Sequence, residues 1–308
     1  MRSTVAAMSA AAASPPKQVG PYKVLRRLGQ GGMADVFLAQ AYGAAGFEKQ
    51  ICLKVLLPEW QGNAELERLL IEEARLGGRL SHPNLVQVHD LGVSQGSYYL
   101  RMDFVDGADL GALLRASRPS RAVALFIASE VALALDYLHH FAGEDRRPLG
   151  LVHRDVSPSN ILCSRHGEVK LGDFGIAKAT LLAANTRGGV RKGKYAYMAP
   201  EQIDGTPLTA QADQFGLGVT LIELLCGYRP FDGDSPLETM DRIRKADPPP
   251  LVELDAPLRA LVLRCLRKAP GERFADAGPL RTALRGLGEE IAGPEELGAW
   301  VRRAVAGR

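Results

Sequence analysis

The segment His153-Arg154-Asp155-Val156-Ser157-Pro158-Ser159-Asn160 is followed, across two short apolar runs, by Asp173-Phe174-Gly175. The runs Ile161 to Cys163 and Val169 to Leu171 read as strands, so two carboxylates and an amide fall on the loops that flank them. Carboxylate and amide oxygens are hard donors, suited to Mg²⁺. One Asp-Gly pair is an ordinary turn signal. Asp155, Asn160 and Asp173 in this order ask for more than turn chemistry.

Working toward the N-terminus, Tyr22 to Val55 alternates in short apolar runs broken by Gly29 to Gly32 and by Gly43 to Gly46, a strand pattern. Gly29-Gln30-Gly31-Gly32-Met33-Ala34-Asp35-Val36 lets the backbone approach phosphates and aim its N–H groups at them. A dinucleotide-binding turn opens a helix, whereas Asp35 to Gln40 continues as a strand, so a hairpin covering phosphates fits better. In Ile51-Cys52-Leu53-Lys54-Val55 the alternation puts Lys54 on the face of Cys52. Lys54 is then either an edge-strand lysine in solvent or the partner of Glu73, carried by the helix predicted over Ala64 to Leu80. Strand-like runs over Leu85 to Val93 and Tyr98 to Val105 follow. Toward the C-terminus, Ala122 to His140, Gln211 to Cys226 and Pro257 to Lys268 carry helical periodicity. A strand-rich half followed by a helix-rich half implies an α+β protein of two lobes, with a ligand cleft at their junction.

Composition narrows the classes. The chain has 308 residues, 24% charged and 46% hydrophobic, with a net charge of +3 that by itself indicates no nucleic-acid partner. Cys52, Cys163, Cys226 and Cys265 are far apart and set among apolar residues, which reads as reduced thiols in a cytoplasmic protein. No apolar run reaches the ~18 residues of a membrane span. The Ala/Ser/Pro-rich residues 1–18 read as a disordered tail. Of 38 basic residues only ten are lysines, and none lies between Lys54 and Lys170.

These motifs together resemble the eukaryotic-like (Hanks-type) bacterial serine/threonine protein kinases, over roughly Val19 to Leu287. The resemblance implies a bilobal protein-kinase-like fold: a β-rich N-lobe with one key helix (19–105), a mostly α-helical C-lobe (106–290), and a C-terminal tail (291–308) read as a short helix around Trp300. It implies Mg²⁺ and ATP. Gly29, Gly31 and the backbone to Val36 would cover the phosphates, with Leu28, Gln30 and Gly32 among the nucleotide-binding positions. Lys54 would grip the α- and β-phosphates and pair with Glu73. Asp103 to Val105 would be the hinge reading adenine behind Met102, with Val36, Cys52 and Leu162 around the ring and Asp109 at the ribose. Asp155 would take the substrate hydroxyl's proton, and Asn160 and Asp173 would hold Mg²⁺. Glu201, of Ala199-Pro200-Glu201, would pair with Arg273, and Asp213 would anchor the catalytic loop.

Several positions depart from the family pattern. Ala34 replaces the third glycine, a mild change. Ser157 stands where Ser/Thr members place a lysine near the γ-phosphate, and Lys194 stands where they place a threonine. An exchange of roles is the expectation, Lys194 supplying the ammonium and Ser157 the hydroxyl. The arginine that tyrosine kinases carry at position 157 or 159 is absent, and Ser159 lacks the acid that favours basic substrates. Gly77 and Gly78 lie inside the helix of Glu73, through close packing or as a switch. Arg154 can pair with a phosphate on the activation segment, where Thr186, and secondarily Thr180, are the expected autophosphorylation sites.

The function implied is transfer of the ATP γ-phosphate to protein Ser/Thr hydroxyls. The expected partners are protein substrates and a second copy of the chain for autophosphorylation, with no nucleic acid and no membrane span. A pseudokinase scaffold that holds nucleotide or a partner without turnover is the alternative, motivated by Ser157.

Overall fold

The computed structural model describes residues 15–173, 194–288 and 290–307; of Lys194 it describes the backbone. The chain forms two compact units, one running to Asn63 and resuming over Asp90–Phe104, the other comprising Ala64–His89 and Val105–Arg308.

The first unit is built on an antiparallel sheet of β1 (Gln18–Val19), β2 (Tyr22–Gln30), β3 (Ala34–Tyr42), β4 (Glu48–Leu56), β5 (Val88–Ser94) and β6 (Ser97–Asp103), in the order β1-β2-β3-β4-β6-β5. Period-2 alternation sends Phe37 and Ala39 of β3 and Ile51 and Leu53 of β4 to one face, where they pack with Val19 and Tyr99. Tyr22 closes this core edge-on to Tyr99, with ring centroids 6.1 Å apart. Strand β4 lies between β3 and β6, so Lys54 is on an interior strand and 5% exposed, not an edge lysine in solvent.

The second unit begins with α1 (Ala64–Arg79), the helix predicted over Ala64 to Leu80. Its small sheet consists of β7 (Gly107–Asp109), β8 (Ile161–Ser164) and β9 (Val169–Leu171) in that order. The remaining helices are α2 (Leu110–Ala116), α3 (Arg121–His139), α4 (Pro200–Ile203), α5 (Gln211–Cys226), α6 (Pro236–Lys245), α7 (Ala256–Cys265), α8 (Ala277–Arg285) and α9 (Pro294–Ala306). Side-chain caps fix several starts: Asp109 for α2, Ser120 for α3, Ser235 for α6 and Asp255 for α7, each accepting a backbone N–H at 2.8–3.3 Å. Helix α3 packs on α5 and α8 through Ile127, Ala128, Val131, Ala134 and Leu135, all fully buried. It is the one described helix long and apolar enough to cross a membrane, and 67% of its apolar window is buried in this core.

The two glycines of α1 differ. A Cβ on Gly77 would meet Val88 Cγ2 at 2.6 Å, while one on Gly78 would meet nothing within 4 Å. Close packing therefore accounts for Gly77 and not for Gly78.

Candidate active site

Backbone pairing assembles the acidic loops. Asn160 directly precedes β8 and Asp173 follows β9 by two residues, and the pairing Ile161↔Leu171 sets those two strand ends side by side. Gly172 N–H donates to the Asn160 carbonyl at 2.9 Å, and Asn160 N–H to Ser157 O at 3.0 Å. Asn84 holds the far side: Leu171 N donates to its carbonyl at 2.8 Å, while its amide donates to Val169 O at 2.9 Å and to Glu130 at 3.0 Å.

The loop that carries Asp155 hangs from one buried carboxylate. Asp213, 1% exposed in the first turn of α5, accepts His153 N at 2.8 Å, Arg154 N at 2.7 Å and His139 Nε2 at 2.9 Å. Three donors on one carboxylate are charge-assisted bonds of the stronger kind, and the helix N-terminus favours the negative charge. They hold Arg154 at φ 69°, a left-handed conformation that costs a non-glycine residue about 1–3 kcal/mol. Asp173 is likewise left-handed, at φ 56°. The His153 ring links the two loops. Its Nδ1 accepts Asp155 N at 3.3 Å, which leaves the ring proton on Nε2 for the Gly172 carbonyl at 3.2 Å.

Asn160 donates its amide to Asp155 O at 2.7 Å, so its carbonyl oxygen is the atom left for a cation. That oxygen and the Asp173 carboxylate form a donor set that fits Mg²⁺. Ser157 is buried beside Asp155, with its hydroxyl 3.0 Å from that of Ser159. Gln202, on α4, accepts Ala199 N at 2.9 Å and donates to Arg154 O at 2.8 Å, tying Ala199 to the loop that carries Asp155.

Glu201 and Arg273 meet in a buried bidentate pair at 2.6 and 2.9 Å. The guanidinium also donates to the carbonyls of Arg267, Gln211 and Lys268 and lies over the Phe215 ring, so every side of it is satisfied. Close by, the Tyr197 hydroxyl donates to Glu223 at 2.5 Å, and burial pushes that carboxyl above its ordinary range. Asp109 gives one carboxylate oxygen to Ala112 N at 2.8 Å as the α2 cap, and Leu162 pairs opposite it.

In the first unit, Lys54 pairs across the sheet with Val36 on one side and Leu100 on the other, and Cys52 with Leu38 and Met102. The glycine-rich segment forms a hairpin turn closed by Gly31 N to Ala34 O at 2.8 Å, with Gly29 opposite Val36. Trp60 Nε1 donates to Gly32 O at 3.0 Å and fixes the turn from the side. Leu28 and Gln30 are exposed at its edge. Asp103 faces Lys49 at 3.7 Å, and Val105 is buried at the start of the second unit's longer stretch. Glu73 is 2% exposed on α1.

Phe174, Gly175, Thr180, Thr186 and the side chain of Lys194 lie outside the described residues. The sequence reading missed Asn84, His139, Gln202 and the Tyr197–Glu223 pair. A histidine ending a buried helix and a glutamine three residues past Ala199 are single polar residues without a spacing pattern, so only the contacts reveal them.

Comparison with known proteins agrees with this geometry. The family model for the protein kinase domain matches residues 22–282. The chain is 40% identical over 284 residues to tyrosine-protein kinase MasK of Myxococcus xanthus, covering 89% of this chain and 44% of that protein. It is 36% identical over 275 residues to serine/threonine-protein kinase PknD of Mycobacterium tuberculosis, covering 86% and 39%, and 36% identical over 272 residues to PknA, covering 86% and 61%. It thus spans roughly two fifths to three fifths of the length of these relatives. The crystal structure of the Mycobacterium tuberculosis PknI kinase domain superposes with a TM-score of 0.66 at 31% identity, covering 89% of this chain and 98% of that one. With a curled N-terminal sheet, a helical C-terminal unit and these matches, the chain belongs to the protein kinase domain family.

Proposed function

We propose that the chain transfers the γ-phosphate of ATP to Ser or Thr hydroxyls of proteins. The observation that carries this is the strand register that sets Asn160 beside Asp173, under a loop anchored three times on Asp213. In this reading Asp155 orients the substrate hydroxyl and takes its proton. Asn160, through its carbonyl oxygen, and Asp173 hold Mg²⁺, which when bound draws charge from the phosphate oxygens. Lys54, paired with Glu73, grips the α- and β-phosphates, while Leu28 to Gly32 and Val36 cover them. Cys52, Met102, Asp103, Val105 and Leu162 surround adenine. Asp109 takes the ribose with the oxygen its cap bond does not use. The chemistry asked of these residues is positioning and charge neutralisation.

The acceptor class rests on Ser157 and Ser159, neither of which is the arginine of tyrosine kinases, and on the names of PknD and PknA. The name of MasK makes the acceptor a point to measure. A serine hydroxyl cannot supply the ammonium expected at position 157, and Lys194 takes that role. Arg154, exposed on the anchored loop, receives a phosphate placed on Thr186 by autophosphorylation within a homodimer, with Thr180 the second site.

The test incubates the protein with Mg-ATP and a generic protein substrate beside Asp173→Ala, with phosphosites mapped by mass spectrometry. Phosphoserine and phosphothreonine that vanish in the variant are expected. Phosphotyrosine alone would overturn the acceptor class, and nucleotide binding without incorporation would leave the pseudokinase reading. Lys194→Ala phosphorylating as fast as the unaltered chain would sink the exchange of roles.

A further inference from the structure

Helix α9 lies beyond the residues matched by the family model, yet it is seated as a core element. Leu297, Trp300, Val301 and Ala304 form one buried face, spaced at three and four residues. The seat depends on two glycines. Gly167, in the β8–β9 turn at φ 90°, has the backbone of Pro294 where a side chain would begin, and a Cβ on Gly298 would meet Arg165 O at 2.8 Å. Two glycines face to face let the turn and the helix approach at backbone distance. The preceding segment is pinned as well, Ala292 N donating to Ala122 O at 3.2 Å.

The contacts of α9 converge on both ends of one short stretch. Trp300 Nε1 donates to Ser117 Oγ at 3.0 Å, at the C-cap of α2. Arg302 donates to Arg165 O, and Arg165 in turn donates its N–H to Asp106 O at 2.7 Å and faces the Asp106 carboxylate at 3.5 Å. Residues 106–117 are thus gripped at Asp106, just before β7, and at Ser117, just after α2. Asp109 is the hinge between β7 and α2 and caps that helix with its own carboxylate.

We propose that α9 is a positioning element for nucleotide binding, setting the Asp109 carboxylate by clamping residues 106–117 at both ends. The proposal rests on the reading of Asp109 as the ribose ligand, and its test separates the two. Calorimetric titration compares Mg-ADP with Mg-2′,3′-dideoxy-ADP, which lacks the ribose hydroxyls, on the full chain, Asp109→Ala, Gly298→Val and Trp300→Phe. Trypsin cleavage after Arg302 and Arg303, followed by mass, reports whether α9 has left its seat.

The unaltered chain is expected to prefer ADP by about 10-fold, the worth of one good hydrogen-bonded contact. Asp109→Ala should abolish that preference while α9 stays protected. Gly298→Val should expose α9 to trypsin and cut the preference below about 3-fold, with dideoxy-ADP affinity unchanged. Trp300→Phe removes the indole N–H and part of the buried ring while keeping an aromatic side chain in the seat, so it gives an intermediate loss in a chain that still folds. If Asp109→Ala leaves the preference intact, the ribose reading fails and the proposal with it. If Asp109→Ala abolishes it but unseating α9 does not, or weakens both ligands equally, the positioning role alone is refuted.

Discussion

Replacing Gly78 and Gly77 by alanine, one at a time, should move stability in opposite directions although the two residues are neighbours on α1. Both have ordinary helical φ, since neither is among the left-handed glycines. Alanine exceeds glycine in helix propensity by about 1 kcal/mol in an interior position, and by less in the last turn, where Gly78 sits. A methyl on Gly78 meets nothing within 4 Å, so Gly78→Ala should stabilise by about 0.5–1 kcal/mol. The same methyl on Gly77 would lie 2.6 Å from Val88 Cγ2 and 3.1 Å from its Cβ. Relieving that overlap by shifting α1 or turning a β-branched side chain off its rotamer costs about 1–3 kcal/mol, more than the propensity gained. Gly77→Ala should therefore destabilise by about 0–2 kcal/mol, and adding Val88→Ala should bring it partway back relative to Val88→Ala alone. Equilibrium urea unfolding followed by circular dichroism reads the four variants against the unaltered chain. Equal stabilisation by the two alanines would refute the packing account of Gly77. Gly77→Ala raising basal phosphorylation without loss of stability would instead make α1, which carries Glu73, a switch.

Two further outcomes follow from a buried ion pair and an exposed histidine. Arg273→Met should destabilise by about 3–5 kcal/mol, because it strands Glu201 in the interior and removes donors from three carbonyls. The double variant with Glu201→Met should be no worse than the single one, and a single-variant cost under about 1 kcal/mol in urea unfolding would contradict the pair's role. The His140 ring is raised above its ordinary pKa, first by its bond to the Asp136 carbonyl and further by the Asp136 and Asp276 carboxylates. A raised folded pKa adds stability below the unfolded value and loses it as pH rises through the folded one. The unfolding midpoint should accordingly fall as pH rises above the ordinary histidine range near about 6.5, by an increment that His140→Gln removes, and an unchanged pH profile in that variant would refute it.

The site was legible where chemistry repeats at fixed spacing. Asp155, Asn160 and Asp173 announce themselves because hard-oxygen donors on loops around two short strands have few structural reasons to occur together. The boundaries of α1 and α5 were legible because each carries a long apolar period. Helix α7 stops at Cys265, short of the expected Lys268, and Arg267 and Lys268 instead give their carbonyls to Arg273. A tertiary partner took backbone groups that periodicity assigned to a helix.

Residue type and spacing, which are properties of the chain, were enough for the family, the order of its motifs and the candidate residues for phosphate and Mg²⁺. The tertiary structure decided which polar residues hold those motifs in place: Asp213 collecting three donors, His153 joining the two loops, Gln202 tying the loop that carries Asp155 to Ala199. It also decided that Gly77 is packing, and that the tail beyond the family match is a seated helix closing on Gly167. Each of those depends on groups far apart in sequence arriving within hydrogen-bond or van der Waals reach, and no local pattern encodes such an encounter.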